Sequence, residues 1–164
     1  MKTIREKSHR LPRDRYQGQV TVAFTVCMKR RESLFVTPQI VSQFVGYLKH
    51  ASDTYQVQML YTFMPDHLHC LSIGQGPESD SLGAIEGFKH TSGWWLKTHK
   101  PQVKWQKGSW DRIARSIHEE AHLAWYLVNN PVRAGLVADW TDYPFTGAIG
   151  LDLKEFLADL LPFT

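Results

Sequence analysis

The chain has 164 residues, 43% hydrophobic and 21% charged, a composition that fits one soluble globular domain with a sizeable core. No apolar run approaches the roughly 20 residues of a membrane helix, and the opening MKTIREKSHRLPRDR lacks the apolar centre of a signal peptide, so a cytoplasmic protein with no membrane partner is expected. The net charge of +3 hides an asymmetry: nine Lys/Arg against two acids in residues 1–31, seven against two in 86–115, and two against seven in 116–164.

Residues 1–16 read as a basic arm. The β-branched run GQVTVAFTVCM at 18–28 predicts a first strand. Thr37-Pro38 opens a helix, with Thr as N-cap and Pro in the first turn, and Ile40, Val41, Phe44, Val45 and Leu48 follow at helical spacing. YQVQMLYTF at 55–63 predicts a second strand, Pro65-Asp66 a tight turn, and 67–73 a third strand. After a Gly/Ser/Asp loop, 82–98 predicts a second helix. A short strand is expected within 103–105 and a fourth strand at 109–114. A third helix at 117–129 is expected to stop before Pro131. The segment LDLKEFLADLL ends the chain as a short amphipathic stretch. The order β-α-β-β-α-β is the ferredoxin-like pattern of an α+β fold: an antiparallel sheet with helices on one face, plus an additional helix free to bring a functional group to the sheet. The expected organisation is an arm at 1–16, one domain at 17–148 and a short tail at 149–164. Cys27 and Cys70 lie in apolar strands without CxxC spacing and read as buried thiols.

Two basic blocks and an acidic end predict a positive side that attracts a polyanion, although a solvated charged surface gives the same blocks. The second block interleaves Trp94, Trp95, Trp105 and Trp110 with Lys89, Lys97, Lys104, Lys107, Arg112 and Arg115. Basic side chains can track a phosphate backbone while aromatic faces stack on unpaired bases; at least two of the four Trp are expected to fill the core instead. The hairpin YTFMPDHLHCLSI carries His67 and His69. On a strand these share a face, close enough to ligate one divalent metal, and Leu68 and Cys70 turn away. A His-X-His pair also arises by chance in a chain with eight histidines. In AHLAWYLVNNP, Tyr126 and Asn130 lie four apart, on one face of a helix. A tyrosine there is more often a core residue with its hydroxyl at the edge.

Six segments taken in order resemble the single-tyrosine HUH transposases, most closely the REP-associated tyrosine transposases of bacteria. They are FTVCMKRRESLF, MPDHLH, GFKHTSGWW, WQKGSWDRIAR, YLVNNPVRAGLV and DYPFTGA, spanning about residues 15–147. The resemblance implies a bacterial protein that cleaves and rejoins single-stranded or hairpin DNA. It implies His67 and His69 as metal ligands, Asn130 as a third ligand or polar contact, and Tyr126 as nucleophile. Mg2+ or Mn2+ is the implied cofactor, and the 5′-phosphotyrosine link is the implied intermediate. Arg13, Arg15, Lys89, Lys97, Lys104, Arg112 and Arg115 are the candidate DNA-binding residues, on a monomer or homodimer. Two positions depart from the pattern: Asp66 stands where the family often has Asn, and Asn130 precedes Pro131, which disfavours helical geometry there. Two other readings are a DNA-binding module without catalysis and an HUH replication initiator or relaxase.

Overall fold

The computed structural model describes residues 10–160, so the first nine residues of the expected basic arm lie outside the described part. Five strands form one antiparallel sheet: β1 (Thr21–Cys27), β2 (Val57–Met64), β3 (His67–Gly74), β4 (Trp110–Ile113) and β5 (Thr146–Ile149), in the order β4-β1-β3-β2-β5. Helices α1 (Pro38–Tyr55) and α2 (Ser81–His99) connect the first four strands in the ferredoxin-like manner. The long central strands are buried on both faces. Phe24, Phe63, Leu68 and Cys70 pack on one side with Phe44 of α1 and Phe88 of α2. Leu60 and Leu71 face the other side, where α3 (Ile117–Val128) and α5 (Leu153–Asp159) supply Ala124, Leu127, Val128 and Leu157. Each Phe, Leu or Val side chain taken fully from water contributes about 1.5–3 kcal/mol, so a helix on either face is what keeps apolar residues of both parities out of solvent.

Local chemistry explains the boundaries. The Thr37 side chain accepts from the Ile40 N–H with Pro38 in the first turn, as expected. Helix α1 runs on to Tyr55 and closes with Gln56 in the left-handed region (φ 57°), so β2 begins at Val57 and not at 55. The expected strand within 103–105 is one isolated bridge, Met28 to Trp105. Pro131 does not simply end a helix. α3 stops at Val128, and a further turn, α4 (Asn130–Arg133), starts with Pro131 near its beginning, where the missing N–H costs no intrahelical bond. The sequence pattern offered no strand at 146–149 because TGAI is short and half-buried, yet β5 pairs with β2 along Met59–Thr62. The segment after it folds back as α5 and buries Leu157.

The last residues of the arm are held by β4. Tyr16 is fully buried, its hydroxyl donating to Asp111, and Arg10 pairs with the same carboxylate. Of the four Trp in the basic block, Trp95 and Trp105 pack against the main core and Trp105 donates to Ser92 Oγ, whereas Trp94 is 66% exposed. Cys27 and Cys70 are buried free thiols. Among the described residues no helix is long and apolar enough to cross a membrane.

Gly74 shows how closely the backbone is fitted. A Cβ there would lie 1.9 Å from the carbonyl oxygen of Gly18, a backbone atom with no rotamer to change. Gly74→Ala is therefore expected to destabilise the protein by about 3 kcal/mol, the upper end of overpacking costs. A urea titration checks this, and an unchanged midpoint would contradict the packing.

Candidate active site

The strand β3 presents His67 and His69 on the face opposite α1 and α2, while Leu68 and Cys70 enter the main core. Thr25 of β1 and Thr62 of β2 stand directly across from His69, so the imidazole is bracketed by two small β-branched side chains in the centre of the sheet. His69 Nδ1 lies 3.1 Å from Thr25 Oγ1. His67 Nδ1 lies 2.6 Å from Asp66 Oδ1 in the hairpin turn, and Arg31 donates to the same carboxylate at 2.9 Å. The tautomer that directs the Nδ1 proton of His67 at this carboxylate leaves the Nε2 lone pair free for an ion. The two Nε2 atoms are 3.1 Å apart, a spacing from which both reach one ion at about 2.1 Å. Cys70 has no part in this face, but Cys27 pairs in register with His67 and its sulfur accepts from Arg31 at 3.5 Å.

Burial decides the protonation of the pair. It pushes His69 down to about 3, with the neighbouring His67, Arg133 and Arg31 adding to the effect. Burial also lowers His67, against the pull of Asp66. For Asp66 burial acts upward, and the hydrogen bonds from Arg31 and His67 outweigh it and hold the carboxyl below its usual range. Both imidazoles are thus neutral at pH 7, the form that ligates metal. The same shift contributes to loss of stability in acid for the protein without a bound metal. The unfolded His69 takes up a proton below about pH 6.5 and the folded one does not, so stability falls as pH drops from 6.5 toward 3. The slope from His69 reaches up to about 1.4 kcal/mol per pH unit. Melting the chelator-treated protein at pH 7, 6 and 5 tests this, and a His69→Gln variant should show a shallower fall. Equal slopes in the two proteins would remove His69 as the cause.

Tyr126 extends from α3 over this face. Its ring is perpendicular to that of His69 with centroids 6.3 Å apart, and it is 50% exposed. Arg133 of α4 lies over the ring, 3.8 Å from its centroid, and its Nη2 donates to the Tyr126 carbonyl at 2.6 Å. Composition alone did not single out Arg133, although it lies inside the YLVNNPVRAGLV segment. Asn130 belongs to α4, not to the same helix as Tyr126, and its Nδ2 is buried without a hydrogen-bond partner. Tyr61, the other tyrosine near the hairpin, pairs in register with Cys70 and so points to the opposite face from the histidines.

The seven candidate DNA-binding cations are in different situations. Lys89 is turned inward, its Nζ donating to the carbonyls of Gln106 and Gly108, which fastens the basic connector to α2. Arg13 pairs with Glu86, and Arg112 with Glu119. Arg15, Lys97, Lys104 and Arg115 are exposed. Beside the histidines a cleft of about 700 Å3 opens between α3 and the β4–β1 edge of the sheet, with His69 and Tyr126 in its wall.

Comparison with known proteins places the chain among the transposases. Residues 16–117, more than half of its length, match the family described as Transposase IS200 like, and the chain belongs to that family. The matched stretch includes His67 and His69 and ends before Tyr126. A REP-associated tyrosine transposase of Escherichia coli (strain K12) is 28% identical over 126 residues, covering 75% of this chain and 73% of that protein. A solved structure of a REP-associated tyrosine transposase bound to a REP hairpin superposes with a TM-score of 0.66 at 21% identity. The superposition covers 95% of this chain and 88% of the other. That likeness establishes the shared α+β fold through the C-terminal helices.

Proposed function

We propose that the protein cleaves and rejoins single-stranded DNA next to a hairpin, with Tyr126 as nucleophile and His67 and His69 as holders of Mg2+ or Mn2+. The observation that carries this reading is the convergence of two neutral imidazole nitrogens with a half-exposed tyrosine on one face of the sheet. The donor set fits a divalent ion. Two Nε2 lone pairs face each other, and the unpartnered Asn130 amide, if turned, would offer its oxygen as a further ligand. No group of three or more His, Cys, Asp or Glu able to hold a metal occurs among the described residues, so water and DNA oxygens would complete the shell, as suits Mg2+ or Mn2+. When bound, the ion neutralises charge on the scissile phosphate and stabilises the leaving oxygen.

The chain's own residues do the rest. Asp66, held by Arg31, fixes the His67 ring; Thr25 fixes His69. Arg133 holds the Tyr126 ring against rotation and adds positive charge where the phosphate approaches. Tyr126 Oη attacks phosphorus, the phenolic proton leaves to solvent, the P–O3′ bond breaks, and the leaving 3′ oxygen takes a proton from solvent. The products are a 5′-phosphotyrosine and a free 3′-hydroxyl. One phosphodiester replaces another, so a second 3′-hydroxyl can reverse the step without ATP. The substrate class rests on the basic blocks and on the relative bound to a REP hairpin. The test is to incubate the protein, Mn2+ and labelled single-stranded hairpins, denature in detergent, and follow the label. Label migrating with the protein supports the reading; hairpin binding with no adduct for any hairpin from the flanks of the gene would leave a DNA-binding module.

A further inference from the structure

The second face of the sheet is only half covered. Helix α3 packs over β2 and β3, and the β4–β1 half beside it stays open as the 700 Å3 cleft. Its floor follows from the register. Thr25 of β1 lies opposite Trp110 of β4, and Ala23 opposite Arg112, so one broad aromatic side chain adjoins one very small one. Ala23 is partly buried at the margin of the Leu60 and Leu71 cluster and also lines the cleft, while its strand neighbours Val22 and Phe24 are buried on the other face. The opposite wall is one stripe of α3, where His122, Leu123 and Tyr126 recur at helical spacing. At the rim Arg112 donates to Glu119.

We propose that this cleft holds one unpaired nucleobase of the DNA strand, a neighbour of the phosphate that lies between His69 and Tyr126. The inference rests on that strand passing the His pair. Three features select a base over other occupants. The cleft shares His69 and Tyr126 with the candidate active site, so a strand threaded there delivers its next nucleotide into it. The rim cation is already neutralised by Glu119, so a phosphate gains little inside, whereas a flat uncharged heterocycle loses nothing. Trp110 supplies a π face for stacking, and Arg112, Glu119 and His122 supply donors and acceptors for the base edge. The volume lies within the range of small-ligand sites and admits a base with its sugar.

The test is equilibrium binding of single-stranded hairpin oligonucleotides in which one abasic position is moved through the nucleotides beside the hairpin. Wild-type protein should bind one of these about 5- to 100-fold more weakly than intact DNA, the range expected for loss of one stacked base. Trp110→Ala should bind intact DNA more weakly by a similar factor and become insensitive to the abasic site at that position alone. Trp110→Leu keeps an apolar side chain on β4 and should show the same levelling, which covers the case in which the alanine protein does not fold. An abasic penalty equal in wild type and variants, or no position with a penalty, would overturn the pocket. Adduct formation is read separately. Levelling without any adduct keeps the pocket and removes strand transfer, and an adduct without levelling does the reverse.

Discussion

A Tyr126→Phe protein is expected to form no covalent link to DNA and to join no strands, while its affinity for the hairpin and for Mn2+ stays within about twofold of wild type. The substitution deletes one oxygen from a ring whose position is set by contacts the phenylalanine keeps: the Arg133 guanidinium 3.8 Å from the ring centroid and the perpendicular His69 imidazole. With the phenol half-exposed, its loss leaves no buried polar group without a partner. Loss of a nucleophile that acts with its neighbours as one unit lowers the rate by on the order of 10^4 or more, so residual adduct should fall below detection. Label retained by Tyr126→Phe would identify another nucleophile. Tyr61 is excluded geometrically by facing the opposite side of the sheet, and Tyr16 and Tyr143 are buried, with their hydroxyls donating to Asp111 and to the Phe63 carbonyl.

Replacing His67 by Ala should remove metal-dependent cleavage and leave most hairpin binding. The side chain stands at the beginning of β3 beside the turn, so its removal opens the site without emptying either core. Manganese titrated into the variant should bind too weakly to saturate at concentrations that saturate wild type. Asp66→Ala leaves both ligands in place and takes away the group that fixes one of them; a change of about 10- to 100-fold in metal affinity is expected for loss of such a partner. Cleavage by His67→Ala at the wild-type rate would show that the metal, if required, is held elsewhere.

The strands and helices that were legible from sequence are those whose apolar residues repeat at a clear period. β1, β3, α1 and α2 each carry such a repeat, and the His67-Leu68-His69 alternation fixed which side chains share a face. Elements whose existence depends on long-range partners were not visible. β5 is four residues held by β2, and α5 is stabilised by burying Leu157 against α3. Tyr126 was found through the segment around it; periodicity alone would have placed it as an ordinary helical tyrosine. Arg133 over its ring, Asp66 under Arg31 and Thr25 on His69 depend on contacts across 7, 35 and 44 residues of chain, and no local pattern encodes them. Lys89 shows the same dependence on distant partners. It lies among lysines that read as a nucleic-acid surface, yet carbonyls at 106 and 108 capture it.

The covering of β2 and β3 from both sides has a consequence for where the molecule breathes. Amides along these strands exchange with solvent only when two helical layers open, so they belong to the slowest-opening part of the protein. The β4–β1 half has helices behind it and an open cleft in front, and β4, at four residues, is an edge. The two imidazoles therefore stand on the half of the sheet covered from both sides, while the surface proposed to receive the strand is the half covered on one face only. On the proposed function, such a division would let differing DNA sequences settle beside imidazoles whose own positions do not move.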